Sequence, residues 1–167
     1  MIRKETQAIC GTHKHRMHFT KLRRMQDGLF DTLPRAGEIL LCCKNDNDIG
    51  IFNGCFGTLL ADPKVLSDNR ILLDIKMEDL HQPLYSLNTH PHLFGAHFGK
   101  AKAQKIPKGV QEFDWGYVLT CHKSQGSEWD DVTVLDDSKV FGEDSARWLY
   151  TAITRASKSV TILNRDI

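Results

Sequence analysis

The last third of the sequence alternates short apolar runs with polar or amphipathic stretches, and this alternation restricts the fold more than any other feature of the chain. Tyr117-Val118-Leu119-Thr120, Val132-Thr133-Val134-Leu135 and Val160-Thr161-Ile162-Leu163 read as three strands. Between the second and third, Asp144-Ser145 can cap a helix reaching about Ser157, with Leu149, Ala152 and Ile153 as its apolar stripe. Strand, helix and strand in succession predict an α/β fold with a parallel sheet.

A similar unit opens the chain. Gln7-Ala8-Ile9-Cys10-Gly11 reads as a short buried strand, and Thr12 can cap a helix from His13 to Met25. Met17, Leu22 and Met25 are the expected buried side of that helix, with Lys14, Arg16, Lys21, Arg23 and Arg24 around its polar face. The formal net charge of +1 conceals an asymmetry, because residues 1–35 hold eight Lys and Arg against three Asp and Glu. Such a segment can meet nucleic-acid phosphates or form a solvated helix face.

The middle of the chain has a different rhythm. Glu38 to Lys44, Cys55 to Leu60 and Ile71 to Ile75 read as strands, with Asn53-Gly54 and Asp62-Pro63 as turns. Short strands at this spacing predict a small antiparallel barrel. Residues 81–112 read as a long loop with one or two short elements.

Composition removes several classes. No apolar run is long enough for a membrane helix, and the charged start Met1-Ile2-Arg3-Lys4-Glu5 is not followed by a signal-like apolar stretch. The five cysteines lack framework spacing and read as reduced thiols, three of them in apolar runs. His13-Lys14-His15, His90-Pro91-His92 and Cys42-Cys43 offer ligand types without zinc-finger spacing, so no structural metal is expected.

Two segments carry chemistry. Thr120-Cys121-His122-Lys123-Ser124-Gln125-Gly126-Ser127-Glu128 starts at the C-terminal end of a strand, where open α/β sheets bind ligands. Gly126 allows backbone to approach a phosphate, Glu128 can accept from a ribose hydroxyl, and Thr120 and His122 can donate to phosphates. In the second segment, Trp148 to Ala156, Arg155 falls near the predicted helix end, and Arg147, eight residues earlier, can share its face. A guanidinium at that place can stabilise a leaving phosphoryl group or simply complement the helix dipole.

Together these strings resemble motifs V and VI of superfamily 1 DNA helicases of the RecD/Dda branch. Ala8 to Thr12 with the basic helix resembles the surroundings of motif IV. Gly37-Glu38-Ile39-Leu40, Asn45-Asp46 and Phe52-Asn53-Gly54 resemble the start of the small SH3-like barrel inserted in that branch, with phage-type exonuclease V-like helicases the nearest likeness. The resemblance implies a RecA-like parallel sheet of the P-loop NTPase superfamily, the second motor domain, in residues 1–35 and 113–167. The barrel and long loop would occupy residues 36–112.

It also implies Arg155 as an arginine finger, and Gln125, Gly126 and Glu128 as further ATP contacts. Thr12, Thr120, His122 and Lys123 would line the path of single-stranded DNA. ATP with Mg²⁺ is the implied cofactor, and the cytoplasm of a bacterium or a phage-infected host the implied setting. No Gly-x-x-x-x-Gly-Lys-Ser/Thr loop occurs in the sequence. A first RecA-like domain bearing the Walker motifs, in the same gene or on a separate chain, is therefore the expected partner, and the chain alone is expected to be inactive in ATP hydrolysis. Two other expectations remain open: a non-catalytic single-stranded DNA-binding module, and a subunit that completes an ATPase site in trans.

Overall fold

The computed structural model describes residues 6–68, 70–90, 94 and 109–164. The chain divides into two compact units, one from residues 1–27 with 117–167 and one from residues 28–116. Of the expected long loop 81–112, residues 91–93 and 95–108 lie outside the described residues.

The first unit holds a four-stranded parallel sheet. Its strands are β1 (Gln7–Cys10), β8 (Val118–Thr120), β9 (Trp129–Asp136) and β10 (Ala156–Asn164), in the order β10-β9-β1-β8. The central strands are apolar on both faces, as parallel strands covered on both sides must be. Ile9, Val132 and Val134 pack on one face with Trp148 and Ala152 of helix α2 (Ser145–Ile153). Ala8, Cys10, Val118 and Leu135 form the opposite face, joined by Phe19 of helix α1 (His13–Gln26). The outer strand β10 keeps residues 157–162 exposed.

Chain order and spatial order disagree at β1, which lies between β8 on one side and β9 on the other. A sheet of this kind opens a crevice at the carboxyl end of its switch strand. Gly11 and Thr12 follow β1 there. Thr120 ends β8, paired with Cys10, and Asp136 ends β9.

Helix α1 begins as its capping residue predicts, with the Thr12 hydroxyl accepting from the His15 amide at 3.3 Å. Its buried side differs from expectation. Met17 is buried, but Leu22 and Met25 are 40% and 41% exposed, whereas Arg16, Thr20, Arg23 and Arg24 are buried. Long guanidinium side chains can lie inward when their heads find partners. Arg23 pairs with Asp27 and places its guanidinium 5.3 Å from the centre of the Tyr117 ring. The basic helix thus offers solvent fewer charges than its sequence suggests, chiefly those of Lys14 and Lys21.

Helix α2 stops at Ile153, four residues short of the expected end. The chain turns there because the next residues join the sheet: the Trp129 amide donates to the Arg155 carbonyl (2.9 Å), and β10 starts at Ala156. Asp144 occupies the position before the helix but makes no side-chain cap bond.

The second unit is a six-stranded antiparallel sheet. Its strands are β2 (Ile39–Cys42), β3 (Phe56–Leu59), β4 (Lys64–Val65), β5 (Ile71–Met77), β6 (Leu84–Thr89) and β7 (Phe113–Trp115). Strand β5 shows why this segment is a strand: Ile71, Leu73, Ile75 and Met77 are buried and the residues between them are not. Strand β6 is a short element within the expected long loop, whereas β4 and β7 are additional to the sequence reading. They are short or lack alternation, and β6 carries exposed Tyr85 and Ser86. The ends of the sheet meet at one parallel bridge, Thr89 with Gln111, so the unit is a half-barrel.

The cysteines are free thiols, with Cys10, Cys42 and Cys121 buried. Burial, reinforced by the Asp137 carboxylate, pushes the Cys10 thiol up to about 12. Its thiolate is then roughly a ten-thousandth of the population at pH 8. Brief treatment of the native protein with iodoacetamide at that pH is expected to leave Cys10 unmodified, as peptide mass spectrometry would read. Prompt labelling at Cys10 would contradict this burial.

Candidate nucleotide and nucleic-acid site

The segment between β8 and β9 carries most of the candidate residues and runs from the C-terminal edge of the sheet back to the start of β9. Its first part is a compact turn. The Lys123 and Ser124 amides donate to the Thr120 carbonyl at 2.8 and 3.1 Å, and the buried Ser124 hydroxyl donates to the Cys121 carbonyl at 2.8 Å. This turn leaves the His122 side chain exposed near Thr120, while Lys123 is half-buried. Thr120 is buried, with 6% of the residue exposed.

Gly126 then reverses the chain with φ +87°. A Cβ there would meet nothing within 4 Å, so glycine serves the left-handed conformation and the space beside it is open. Next to it, Arg155 folds over the same turn. Its Nη1 donates to the Ser127 carbonyl (3.3 Å), its Nε to the Thr151 carbonyl (3.2 Å) and its Nη2 to the Thr154 hydroxyl (3.4 Å). All three acceptors are neutral and all three bonds are long. A phosphate oxygen would be a stronger acceptor for the same guanidinium. The Glu128 carboxylate is exposed and makes no hydrogen bond or ion pair among the described residues.

A cleft of about 270 Å³ lies between this turn and α2, lined by His122, Gln125, Phe141, Arg147, Trp148 and Thr151, among others. Phe141 and Trp148 stack with ring centres 5.5 Å apart and form its apolar wall. The guanidinium of Arg147 and the side chains of His122 and Gln125 are not engaged by other protein groups among the described residues. Arg147 does not share a helix face with Arg155: it points into this cleft from the first turn of α2, whereas Arg155 lies beyond the helix end.

The candidate residues therefore form two groups. Thr12, Thr120, His122 and Lys123 gather at the carboxyl edge of the sheet, around the switch strand. Gly126, Glu128 and Arg155 gather at the opposite edge, where β9 and β10 start. Gln125 stands between them at the cleft. Sequence reasoning missed Asp137, a buried carboxylate within the first group. Its only sequence signal is an acidic pair after an apolar run, Val134-Leu135-Asp136-Asp137, which reads as the start of a loop.

Among the described residues, no three His, Cys, Asp or Glu side chains converge as a metal-holding group, and no helix is long and apolar enough to cross a membrane.

Residues 116–163 match the UvrD-like helicase C-terminal domain. The RecBCD enzyme subunit RecD of Mycobacterium tuberculosis (strain CDC 1551 / Oshkosh) is 28% identical over 135 residues, covering 78% of this chain and 18% of that protein. The crystal structure of Bacteroides Pif1 bound to ssDNA shares the fold with a TM-score of 0.56 and 18% identity, covering 96% of this chain and 41% of that one. Bacteroides Pif1 in complex with ADP-AlF3 and ssDNA gives 0.54 and 17%, covering 99% and 41%. The chain thus spans less than a fifth of that RecD and less than half of these Pif1 chains. By its paired motifs, its parallel sheet and these likenesses, the chain is similar in residues 116–163 to the UvrD-like helicase C-terminal domain and over most of its length to part of RecD, and it shares its fold with Pif1.

Proposed function

We propose that this chain supplies the second RecA-like half of an ATP-dependent DNA helicase, with the antiparallel unit as an SH3-like insertion near residues 36–112. Its partner is a first RecA-like domain that carries the Walker motifs, on the same or another chain. The observation that carries the reading is the meeting of Arg155 with the Gly126 turn: the guanidinium reaches the Ser127 carbonyl at 3.3 Å, and the space beside Gly126 is open.

In this reading Arg155 is the arginine finger, and the backbone at Gly126 with Gln125 faces the terminal phosphate. Glu128 accepts from the nucleotide ribose. The residues present suit that role, since the Glu128 carboxylate is unspent and Arg155 gives up only long bonds to neutral oxygens. Bound MgATP supplies the phosphoryl group whose transfer drives the motor, and the Mg²⁺ is held mainly by the partner domain. Thr12, Thr120, His122 and Lys123 form one wall of the single-stranded DNA path at the other edge of the sheet. Phosphate contacts position a strand without reading its bases, which suits a motor.

The direct test is fluorescence anisotropy with labelled single-stranded oligonucleotides. We expect weak binding that is indifferent to sequence and falls steeply with salt, log affinity dropping with log salt at about −0.7 per phosphate contacted. His122→Ala should weaken it. Preference for one base sequence, or binding unmoved by salt and by His122→Ala, would overturn the DNA path. For the nucleotide side, the chain alone is expected to show no DNA-stimulated ATPase until a Walker-bearing domain is added. Turnover by a pure sample of the chain alone would contradict the shared-site reading.

A further inference from the structure

Asp137 stands just after β9 with only 4% of its surface exposed, and none of the contacts proposed above uses it. Both of its carboxylate oxygens lie against one place. Oδ2 accepts from the Gly11 amide at 2.9 Å, and Oδ1 lies 2.7 Å from Nδ1 of His15. Gly11 is the last residue before the helix cap, and His15 belongs to the first turn of α1. The carboxylate therefore bonds the β1–α1 connection before Thr12 and lies within ion-pair distance of its first helical turn after Thr12.

Gly11 makes this approach possible. A Cβ at residue 11 would lie 2.7 Å from the Asp137 Cβ and 2.7 Å from Cε2 of Phe141, so no larger residue fits without displacement. Here glycine is required by proximity, unlike Gly126. Thr12 is itself fixed twice. Its backbone is extended (φ −122°, ψ 150°), and its hydroxyl oxygen accepts from the His15 amide, leaving the hydroxyl hydrogen as a donor. A donor on a connection without this brace would sample many directions, and ordering it on binding would cost affinity. A buried carboxylate is an expensive way to fill space, but it fixes the direction of the Gly11 amide from which it accepts.

Asp137 also starts the connection to α2. Its carbonyl accepts from the Val140 amide at 3.0 Å, opening the 3₁₀ segment Ser138–Asp144 that leads directly into α2. One residue thus braces the Thr12 turn and starts the stretch that ends at Arg155.

We propose that Asp137 is a positioning residue for the nucleic-acid contact at Thr12. It sets the orientation of the Gly11–Thr12 turn so that the Thr12 hydroxyl meets a backbone phosphate of the strand. The proposal rests on the reading of Thr12 as part of the DNA path.

The test uses the full 167-residue chain with a labelled oligo-dT and two readouts. The first is hydrogen–deuterium exchange of the Gly11 amide, which does not depend on DNA. Asp137→Ala should speed it roughly tenfold or more, through local opening. Unchanged exchange would overturn the clamp. The second is affinity for the oligonucleotide in a cycle with Thr12→Ala. Each single change should weaken binding by roughly three- to tenfold, the worth of about one hydrogen bond. The double variant should bind no more weakly than Thr12→Ala alone. Asp137→Asn can still accept from the Gly11 amide and should stay within about twofold of wild type.

Additive losses, or wild-type affinity in Asp137→Ala while Thr12→Ala is weakened, would overturn the positioning role. If Thr12→Ala binds like wild type although His122→Ala does not, Thr12 is off the path and the proposal falls while the wider reading stands. If neither change has an effect, the DNA path itself fails. Should Asp137→Ala not fold, His15→Gln removes one arm of the clamp and enters the same cycle with the same expected coupling.

Discussion

Replacing Arg155 by alanine in a motor assembled from this chain and a Walker-bearing domain is expected to lower DNA-stimulated ATP hydrolysis by roughly 10³- to 10⁵-fold. The loss should fall on the chemical step, so single-turnover hydrolysis is the measurement of choice. The folded chain should hardly notice the change. Arg155 donates to the Thr151 and Ser127 carbonyls at 3.2 and 3.3 Å and is neither buried nor paired with a carboxylate. Removing bonds of that kind costs at most about 1 kcal/mol of stability. Lysine should rescue little, because a point charge on a flexible stem cannot reproduce the planar fork. Hydrolysis within tenfold of wild type in the alanine variant would remove Arg155 from the reaction. A loss matched by an equal loss of folding would return it to a structural role.

The largest effect on stability is expected in the other unit. Trp115 is fully buried on β7, and its ring meets that of Phe94 edge to face with centres 5.4 Å apart. Strand β7 is three residues long and pairs with β2 along Leu40, Leu41 and Cys42, so the side chain anchors a strand with few hydrogen bonds of its own. Trp115→Ala should destabilise the antiparallel unit by about 3–5 kcal/mol, the usual cost of an aromatic cavity that closes incompletely. That corresponds to a fall in Tm of roughly 6–20 °C if the whole chain melts together and roughly 12–40 °C if this unit melts alone. Urea unfolding followed by tryptophan fluorescence and by circular dichroism would read it, and would show whether the two units melt together. A shift in midpoint worth less than about 1 kcal/mol would mean that the indole fills space the rest of the unit can close.

The legible parts of this chain are those in which one rule dominates. The short strand before Gly11, the Thr12 cap and the central apolar runs of the parallel sheet follow from burial on both faces and from capping chemistry. The alternation in Ile71–Met77 is equally direct. Where tertiary partners decide, the sequence misleads. Arg16, Arg23 and Arg24 read as a solvated face, but partners such as Asp27 and the Tyr117 ring draw guanidinium groups inward. Helix α2 reads as continuing through Arg155, because nothing local says that the Trp129 amide will claim the carbonyl of that residue.

For the site, motif strings place Gly126 and Arg155 in one neighbourhood, and the structure shows the two segments touching through the Ser127 carbonyl. The separation of the candidates onto two edges of the sheet was not legible, because it depends on how far the segment between β8 and β9 travels. Asp137 was invisible for a related reason. Its meaning depends on β9 pairing with β1, and spacing along the chain does not reveal which strands become neighbours.

That travelling segment has an evolutionary cost. In the proposed reading, one strut of residues 121–128 supports the gripping groups at one extremity and the triggering turn at the other, and several of its amides are bonded within the segment. On that reading, a substitution within it is expected to change track-holding and fuel use together. Variants selected for tighter hold should therefore arise outside residues 121–128, on the first connection or the cleft wall, where the two tasks can be adjusted separately.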